Sequence, residues 1–389
     1  MRRIGAEERR ARLGLRHYLA HPADDVTRLA GELCGLHATD PVTVYLSARA
    51  RLAGFEPSHL ETALYDERTA IRMLGMRRTM FVLPTAFAPV VHQACTSKIA
   101  DANGRRLAKL IEANGISGSG ARWLAAVESK VGEHLDLHGE ALAEELSAAV
   151  PELKSKVTTA PDKSYGGSVA LTNRVLTHMA MDGRIVRGRP ASGWTSTRYR
   201  WAPISEWTSD DLSGPAAEDA EADLARTWLR AFGPATTDDL QWWAGWTGRQ
   251  TKRALVAVGA VEVDLDGRTG WILNDEAESP ATPDPWVALL PSLDPTAMGW
   301  KDRDFYLGEH RAHLFDRSGN IAPTVWADGR VIGGWAQRAD GEIRVRLLED
   351  TGAETRDRIE SAANDLTTWL GAVRFSPRFP TPLDRDLKL

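Results

Sequence analysis

The chain has 389 residues and a net charge of −5, with 43 % hydrophobic and 26 % charged residues. This balance is typical of a globular protein, so the composition excludes a chain that is disordered or basic throughout. At roughly 100–200 residues per domain, the length suggests two to four domains.

The sequence indicates neither a metal site nor a membrane segment. The two cysteines, Cys34 and Cys95, form no Cys-x-x-Cys pair, so we expect two buried thiols and no metal or cofactor. His310 and His313 lie three residues apart, a spacing seen in metal sites, but no third ligand is evident. The basic N-terminus lacks an apolar signal region, and no apolar run reaches about 18 residues. We therefore expect a cytoplasmic protein.

The first 110 residues are predicted to be mostly helical and to end in a short strand. Segments 5–19, 25–36, 42–52 and 58–67 have the spacing of helices that bury one face. The run from Met80 to Leu83, stopped by Pro84, predicts a strand. Helices followed by a short strand hairpin are the order of a winged helix.

The same order recurs twice. Segments 139–150 and 166–183 are predicted helices, and residues 184–203 a strand pair. In the third copy, Thr236 stands three residues before Asp239, the spacing of a capping box, and Thr247 is a predicted N-cap. Residues 260–273 form a predicted hairpin with Asp-Gly at its turn.

After Trp286 the pattern changes to strands, at 286–295, 321–337 and 341–350, followed by a helix at 354–370 and a short strand at 372–377. We expect an α+β fold with three tandem winged-helix domains followed by a small antiparallel β-barrel. The predicted boundaries are 1–115 for the first winged helix with its N-terminal helix, 116–205 for the second, 206–280 for the third, and 281–389 for the barrel and C-terminal helix.

Charge is unevenly distributed along the chain. Residues 162–201 hold seven basic and two acidic side chains, and residues 206–239 hold nine acidic and two basic ones. Arginine suits phosphate because of its planar fork of donors, so the arginines of the second wing could follow a DNA backbone or enter a minor groove. Alternatively, these arginines face solvent or pair with the acidic segment.

The predicted DNA contacts fall in three places. A wing can contact phosphates and a recognition helix can enter the major groove. Winged helices also serve as protein-interaction modules, so this reading stays open. The predicted DNA-binding residues are Arg77 and Arg78 at the first wing, Arg184, Arg187, Arg189, Arg198 and Arg200 at the second, and Arg249, Lys252 and Arg253 on the second helix of the third copy.

Four motifs in order resemble one family. "GLHATDPVTVYLSARAR", "MRRTMFVLP", "LLPSLDPTAMGWKDRDFYL" and "APTVWADGRVIGGWAQ" are similar to motifs of the AlkZ-like winged-helix DNA glycosylases. The resemblance implies a DNA-binding protein that excises bulky N-alkylated purine adducts as a monofunctional glycosylase, in DNA repair or genotoxin self-resistance. It also implies damaged double-stranded DNA as the partner, and we expect a monomer associated with the nucleoid.

The resemblance places the catalytic motif at His37-Ala38-Thr39, where the family has Gln-x-Gln or Gln-x-Asp. The position matches and the residues depart from the pattern. His37 can accept a hydrogen bond from water, and Thr39 offers only a hydroxyl. Asp40 could supply negative charge, but before Pro41 it is also a good N-cap. The alternative is a non-catalytic winged-helix DNA-binding protein, either a transcription regulator or a lesion binder.

Overall fold

The structure is a computed structural model that describes residues 1–159, 167–208 and 212–388. It divides into two compact units, one of Met1–Leu60 with Glu221–Leu389 and one of Glu61–Ala220. Asp162 and Lys163, counted above in the basic segment, lie outside the described residues, as do Asp210 and Asp211 of the acidic segment.

The described chain contains both helices and strands, which confirms the mixed α+β class. The first elements are β1 (Arg2–Arg3), α1 (Ala6–Arg16), α2 (Val26–Glu32), β2 (Leu36–His37), α3 (Pro41–Arg49) and α4 (Pro57–Glu61). Next come β3 (Ala70–Leu74), β4 (Met80–Pro84), α5 (Ala88–Val91), α6 (Ser97–Ala113), α7 (Gly120–His138), β5 (Ala141–Leu142), α8 (Ala143–Ala149), β6 (Lys156–Thr159), β7 (Gly167–Ala170), α9 (Thr172–Met181), β8 (Ile185–Pro190) and β9 (Tyr199–Pro203). The last are α10 (Ala217–Phe232), α11 (Thr237–Ala244), α12 (Gly248–Ala257), β10 (Val261–Leu265), β11 (Arg268–Ile272), β12 (Val287–Leu290), α13 (Pro295–Met298), α14 (Asp304–Leu307), α15 (Arg311–Leu314), β13 (Thr324–Ala327), β14 (Arg330–Gln337), β15 (Ile343–Leu347), α16 (Ala353–Leu370) and α17 (Pro382–Lys388).

The unit of residues 61–220 is built on the hairpin β3–β4 and on the series α7, β5, α8, α9 and β8–β9. The short strand β5 pairs with β9, so the three strands form a sheet in the order β5–β9–β8. One apolar core joins α6, α7 and α9 through Leu107, Val131 and Val175, each at most 5 % exposed. Strands β6 and β7, which lie between α8 and α9 in the chain, pair antiparallel and were not predicted from the sequence.

The other unit contains the third helix–hairpin series. Thr236 and Asp239 form the predicted capping box, in which the Asp239 amide donates to Thr236 Oγ1 and the Thr236 amide donates to Asp239 Oδ2. Thr247 caps α12 as predicted. Asp266 and Gly267 turn the hairpin β10–β11 with φ of 51° and 88°, a left-handed pair that Asp-Gly accommodates. Local sequence signals therefore determine the helix caps and the hairpin turn of this region.

The predicted β-barrel is not found in the described part of the chain. Its strands form an open antiparallel sheet in the order β12–β13–β14–β15, with β12 and β15 as edges. Helix α16 packs on β12 and β15, and α17 packs on β14, so helices cover the apolar surface that closure would have buried. Residues 372–377 form no strand, and α17 was not predicted.

A fully buried ion pair joins Arg51, just after the end of α3, to the loop before α13. Arg51 donates to both oxygens of Asp294 at 2.6 and 2.9 Å, and neither side chain is exposed. Ser47 Oγ donates to Asp294 at 2.7 Å, and the Thr296 amide donates at 2.9 Å. Asp294 is thus paired and hydrogen-bonded from several sides, as a buried charge requires.

His17 extends this network into α1. Its Nδ1 lies 2.7 Å from Thr296 Oγ1, its Nε2 lies 3.1 Å from the Ala231 carbonyl, and Arg51 Nε donates to its carbonyl oxygen. Burial, and then the positive charge of Arg51, lowers the pKa of His17 to about 3. The imidazole is therefore neutral in the folded protein at neutral pH.

We expect Asp294→Asn to lower the free energy of unfolding by about 3–5 kcal/mol, because it leaves the charge of Arg51 buried without its counter-ion. Chemical denaturation followed by circular dichroism measures this loss. Asp304→Asn is the matched control, since Asp304 is exposed, and it should change stability by less than about 0.5 kcal/mol. Equal losses in the two variants would contradict this account of the network.

A pH dependence follows from His17. Its folded pKa lies below that of an unfolded histidine, so the unfolded chain binds more protons between about pH 6.5 and 3, and stability falls as the pH is lowered through that range. From pH 7 to pH 5 we expect this group alone to remove about 2 kcal/mol. His17→Gln should lose less stability than wild type over the same interval, as measured by denaturant midpoints at both pH values.

Candidate functional site

The predicted catalytic residues lie in the short connection between α2 and α3, residues 33–40, here called the joint. Cys34 and Gly35 leave α2 with positive φ of 55° and 109°. Both cysteines of the chain are buried, as predicted, and neither is in a disulfide. His37, in β2, is 4 % exposed. Thr39 is half-buried, and Asp40 is 6 % exposed. The three predicted residues therefore lie in one largely buried stretch.

Asp40 is the N-cap of α3, which confirms that reading of the Asp-Pro pair. Its Oδ1 accepts from the Val42 amide at 3.1 Å, and Pro41 occupies the first helical turn. Its Oδ2 accepts from the Arg378 amide at 3.1 Å. Both carboxylate oxygens thus hold backbone donors, so the charge of Asp40 is fixed in place at the start of the helix.

Arg378 is a residue at this site that the sequence did not indicate. It lies in the irregular segment before α17, and its Nη1 donates to the Thr39 carbonyl at 3.3 Å. Its guanidinium lies 5.8 Å from the ring centre of Phe379, and the residue is exposed. A separation of 338 residues from Asp40, with no motif in this segment, left no signal that could have found it.

The joint combines four kinds of group. His37 offers an imidazole that can accept a hydrogen bond when neutral, and Thr39 offers a hydroxyl. Asp40 contributes a fixed negative charge and Arg378 an exposed positive one. Such a set can orient a water molecule and hold an anionic group beside it.

The predicted second-wing arginines lie together in the 61–220 unit, and four of the five are paired with carboxylates. Their partners lie outside the acidic segment 206–239. The pairs are Arg184 with Glu128 at 2.6 Å and Asp182 at 3.0 Å, Arg189 with Asp66 at 2.6 Å, Arg198 with Glu144, and Arg200 with Glu145 at 3.3 Å. Arg187 lies over the rings of Tyr199 and Trp201, at 5.3 and 5.6 Å.

Arg77 and Arg78 form the tip of the hairpin β3–β4 in the same unit. Their φ angles are 52° and 60°, a left-handed region that costs an arginine free energy. The Gly75 amide donates to the Thr79 carbonyl at 2.9 Å and closes the turn beneath them. Arg78 is exposed.

The structure separates the three predicted residues of α12. Arg249 and Lys252 are exposed on the face that also shows Val256, which is 76 % exposed. Arg253 instead pairs with Glu221, whose side chain is 1 % exposed. Gln250 donates to the same carboxylate at 2.8 Å. Arg249 and Lys252 are thus free to meet a ligand, whereas Arg253 ties α12 to α10.

The described residues show neither a membrane-spanning helix nor a metal-binding cluster. None of the helices in this part of the chain is both long and apolar enough to cross a membrane. Across 1–159, 167–208 and 212–388, no cluster of three or more His, Cys, Asp or Glu side chains is placed to hold a metal ion. His310 Nε2 lies 3.5 Å from the carboxylate of Glu349.

Known proteins resemble this chain in sequence and in fold. An interstrand DNA cross-link repair glycosylase of Streptomyces sahachiroi is 26 % identical over 262 residues, which cover 60 % of this chain and 70 % of the relative. The solved structure of the Streptomyces sahachiroi DNA glycosylase AlkZ superposes with a TM-score of 0.73 at 21 % identity, covering 97 % of this chain and all of that one. At this identity the second likeness shows the fold.

A family model decides the assignment. The model of the DNA glycosylase AlkZ-like family matches residues 30–369, which include the joint at His37 and the buried ion pair of Arg51 with Asp294. The chain therefore belongs to the AlkZ-like DNA glycosylase family.

Proposed function

We propose that this AlkZ-like DNA glycosylase hydrolyses the N-glycosidic bond of an alkylated purine in damaged double-stranded DNA. The observation that carries the proposal is the family match, which runs through the joint of His37, Thr39 and Asp40. The Streptomyces relative is named for repair of interstrand cross-links, and this supports a bulky N-alkyl adduct as the substrate class. DNA repair or self-resistance to a genotoxin is the corresponding role.

The reaction needs little acid catalysis from the protein. A purine alkylated at a ring nitrogen is positively charged, so the bond from C1′ to the base breaks with its electron pair leaving on the base, which departs neutral. The sugar then carries oxocarbenium-like charge, and water adds to C1′ and loses a proton. The product is an abasic site. The enzyme needs to orient the water, stabilise the positive sugar, and hold the target nucleotide out of the stack.

We assign these tasks within the joint. His37 accepts a hydrogen bond from the water and takes up its proton, which a neutral imidazole nitrogen can do. Thr39 positions the water through its hydroxyl. Asp40, whose oxygens hold two backbone amides, provides fixed negative charge and not a mobile base. Arg378 is suited to a phosphate next to the extruded nucleotide.

The wider proposal concerns the domains and the DNA. We propose that the three helix–hairpin series are winged helices with the boundaries 1–115, 116–205 and 206–280, and that 281–389 form the C-terminal domain. The exposed arginines of the first wing tip and of α12 support contact with duplex DNA. The protein is proposed to act as a monomer on the nucleoid in the cytoplasm.

We expect His37→Ala to slow base release by a factor of about 10² or more while DNA binding is kept, since general base or acid groups contribute about 10²–10⁴-fold. Single-turnover release from a duplex with one N7-alkylguanine measures the rate, and fluorescence anisotropy measures the affinity. Cys34→Ser is a control in the same joint, at a buried thiol without an assigned role, and should release base at the wild-type rate.

Two outcomes point to other functions. A wild-type protein that binds the duplex and releases no base would be a lesion binder or a transcription regulator, as the departure from Gln-x-Gln favours. A protein whose wings dock another protein should bind DNA weakly and without the steep salt dependence that phosphate contacts impose.

The contrast along α12 gives a separate test of DNA binding. Lys252→Ala should weaken binding to all sequences and reduce the slope of log K against log salt by about 1. Arg253→Ala should instead lower stability by about 1–3 kcal/mol, because Glu221 loses a partner in a buried position. Anisotropy titrations at several KCl concentrations, together with denaturation curves, separate the two effects. If Arg253→Ala changes the salt slope and Lys252→Ala does not, Arg253 is the DNA contact.

A further inference from the structure

We infer that helix α6 carries a DNA-backbone contact surface formed by Lys98, Arg105, Arg106 and Lys109, here called the α6 stripe. None of these residues belongs to a predicted wing or recognition helix. The inference deepens the proposed function and rests on DNA as its partner.

The geometry of α6 aligns these side chains. At 3.6 residues per turn, Lys98, Arg105 and Lys109 project within a narrow arc, with Arg106 beside them, and all four are exposed. From Lys98 to Lys109 the helix rises about 16 Å at 1.5 Å per residue. Duplex DNA carries a phosphate charge about every 1.7 Å along its axis, so this length of stripe can face several phosphates at once.

The α6 stripe differs from the second wing in its partners. In the described part of the chain, no side chain forms an ion pair with any of its four cations. Four of the five second-wing arginines, by contrast, already hold carboxylates. A cation that is already paired must give up its carboxylate to bind phosphate, whereas an unpaired one gains the whole interaction.

The local sequence of α6 does not neutralise the stripe. Like charges four residues apart, such as Arg105 and Lys109, destabilise an isolated helix, and a solvent-facing helix commonly offsets them with acids at that spacing. Here Asp101, four before Arg105, is the one acid at that spacing, and the residues four before Arg106 and four after Lys109 are alanines. Glu112 accepts the Gly120 amide at 2.8 Å. Asp101 and Glu112 are the two acids of α6 and are both exposed, so four cations stand against two carboxylates on this helix.

The helix is firmly held in its unit, so the stripe is a rigid surface. Leu107 and Ile111 on its opposite face belong to the core shared with α7 and α9. At Gly104 an added Cβ would come within 2.8 Å of His178 Nε2 on α9, so the two helices approach closely there. A fixed line of cations loses little conformational entropy in the backbone when it binds a fixed line of phosphates.

The test compares two charge-matched double variants of the full chain. Arg105→Gln/Lys109→Gln removes two cations of the α6 stripe. Arg317→Gln/Arg385→Gln removes two exposed arginines elsewhere, which also form no ion pair with any described residue. Anisotropy with an undamaged duplex over a KCl series gives the salt slope, which we expect to fall by about 2 in the stripe variant and to stay unchanged in the control.

Each result decides the inference separately from the glycosylase activity. A stripe variant with the wild-type salt slope overturns the inference and would point to an acidic protein as the partner of α6. An equal fall of the salt slope in both variants also overturns it. Single-turnover base release at saturating protein is followed in parallel. If wild type releases no base while the stripe variant loses slope, the proposed glycosylase activity fails and the α6 surface stands.

Discussion

The buried pair of Arg51 and Asp294 is the constraint on which the candidate site depends. Each charge loses its hydration, a cost of several kcal/mol per ion, and only complete hydrogen bonding makes the pair tolerable. The surrounding donors and acceptors from Ser47, Thr296 and His17 satisfy that condition. Because the buried charges need complete hydrogen bonding, the network has few alternative arrangements. It therefore fixes α1, α3 and the loop before α13 relative to one another. The N-terminus of α3, where the joint lies, inherits that rigidity.

The basic side chains divide into two groups with different energetics. Four of the five second-wing arginines are held in place by carboxylates, so their guanidinium groups have defined directions at the expense of part of their attraction for phosphate. Those of α6 and the outer face of α12 are exposed, and Lys98, Arg105, Lys109, Arg249 and Lys252 keep their full charge available. Unpaired cations supply affinity and salt dependence, whereas paired ones favour orientation. A chain of net charge −5 can bind DNA on this basis.

The features that sequence predicted well are those that depend on a few neighbouring residues. The cap at Asp40, the capping box at Thr236 and the Asp266-Gly267 turn each need only residues within three positions. The features that sequence missed depend on distant partners. Asp294 binds Arg51 across 243 positions, and Arg378 reaches Asp40 across 338.

The barrel prediction failed for a related reason. Alternating strands with Asp-Gly turns indicate an antiparallel sheet correctly, but whether the sheet closes depends on what covers its edges and faces. Here α16 and α17 pack on it, and α17 carries no strong sequence signal of its own. Strand pattern alone therefore cannot distinguish a small barrel from an open sheet under helices.

The proposed roles of the joint residues imply a limit on the substrates of the enzyme. A glutamine and a carboxylate would give both a positioned water and a movable negative charge, whereas His37 and Thr39 give a neutral acceptor and a hydroxyl. Asp40 cannot make up the difference by motion, because both of its oxygens hold amides and the positive end of α3 offsets part of its charge. The positive charge on an alkylated purine lowers the barrier to departure of the base. The joint has no group assigned to protonate that base. On the proposed assignment of His37, Thr39 and Asp40, we therefore expect cationic purine adducts to be better substrates than neutral bases.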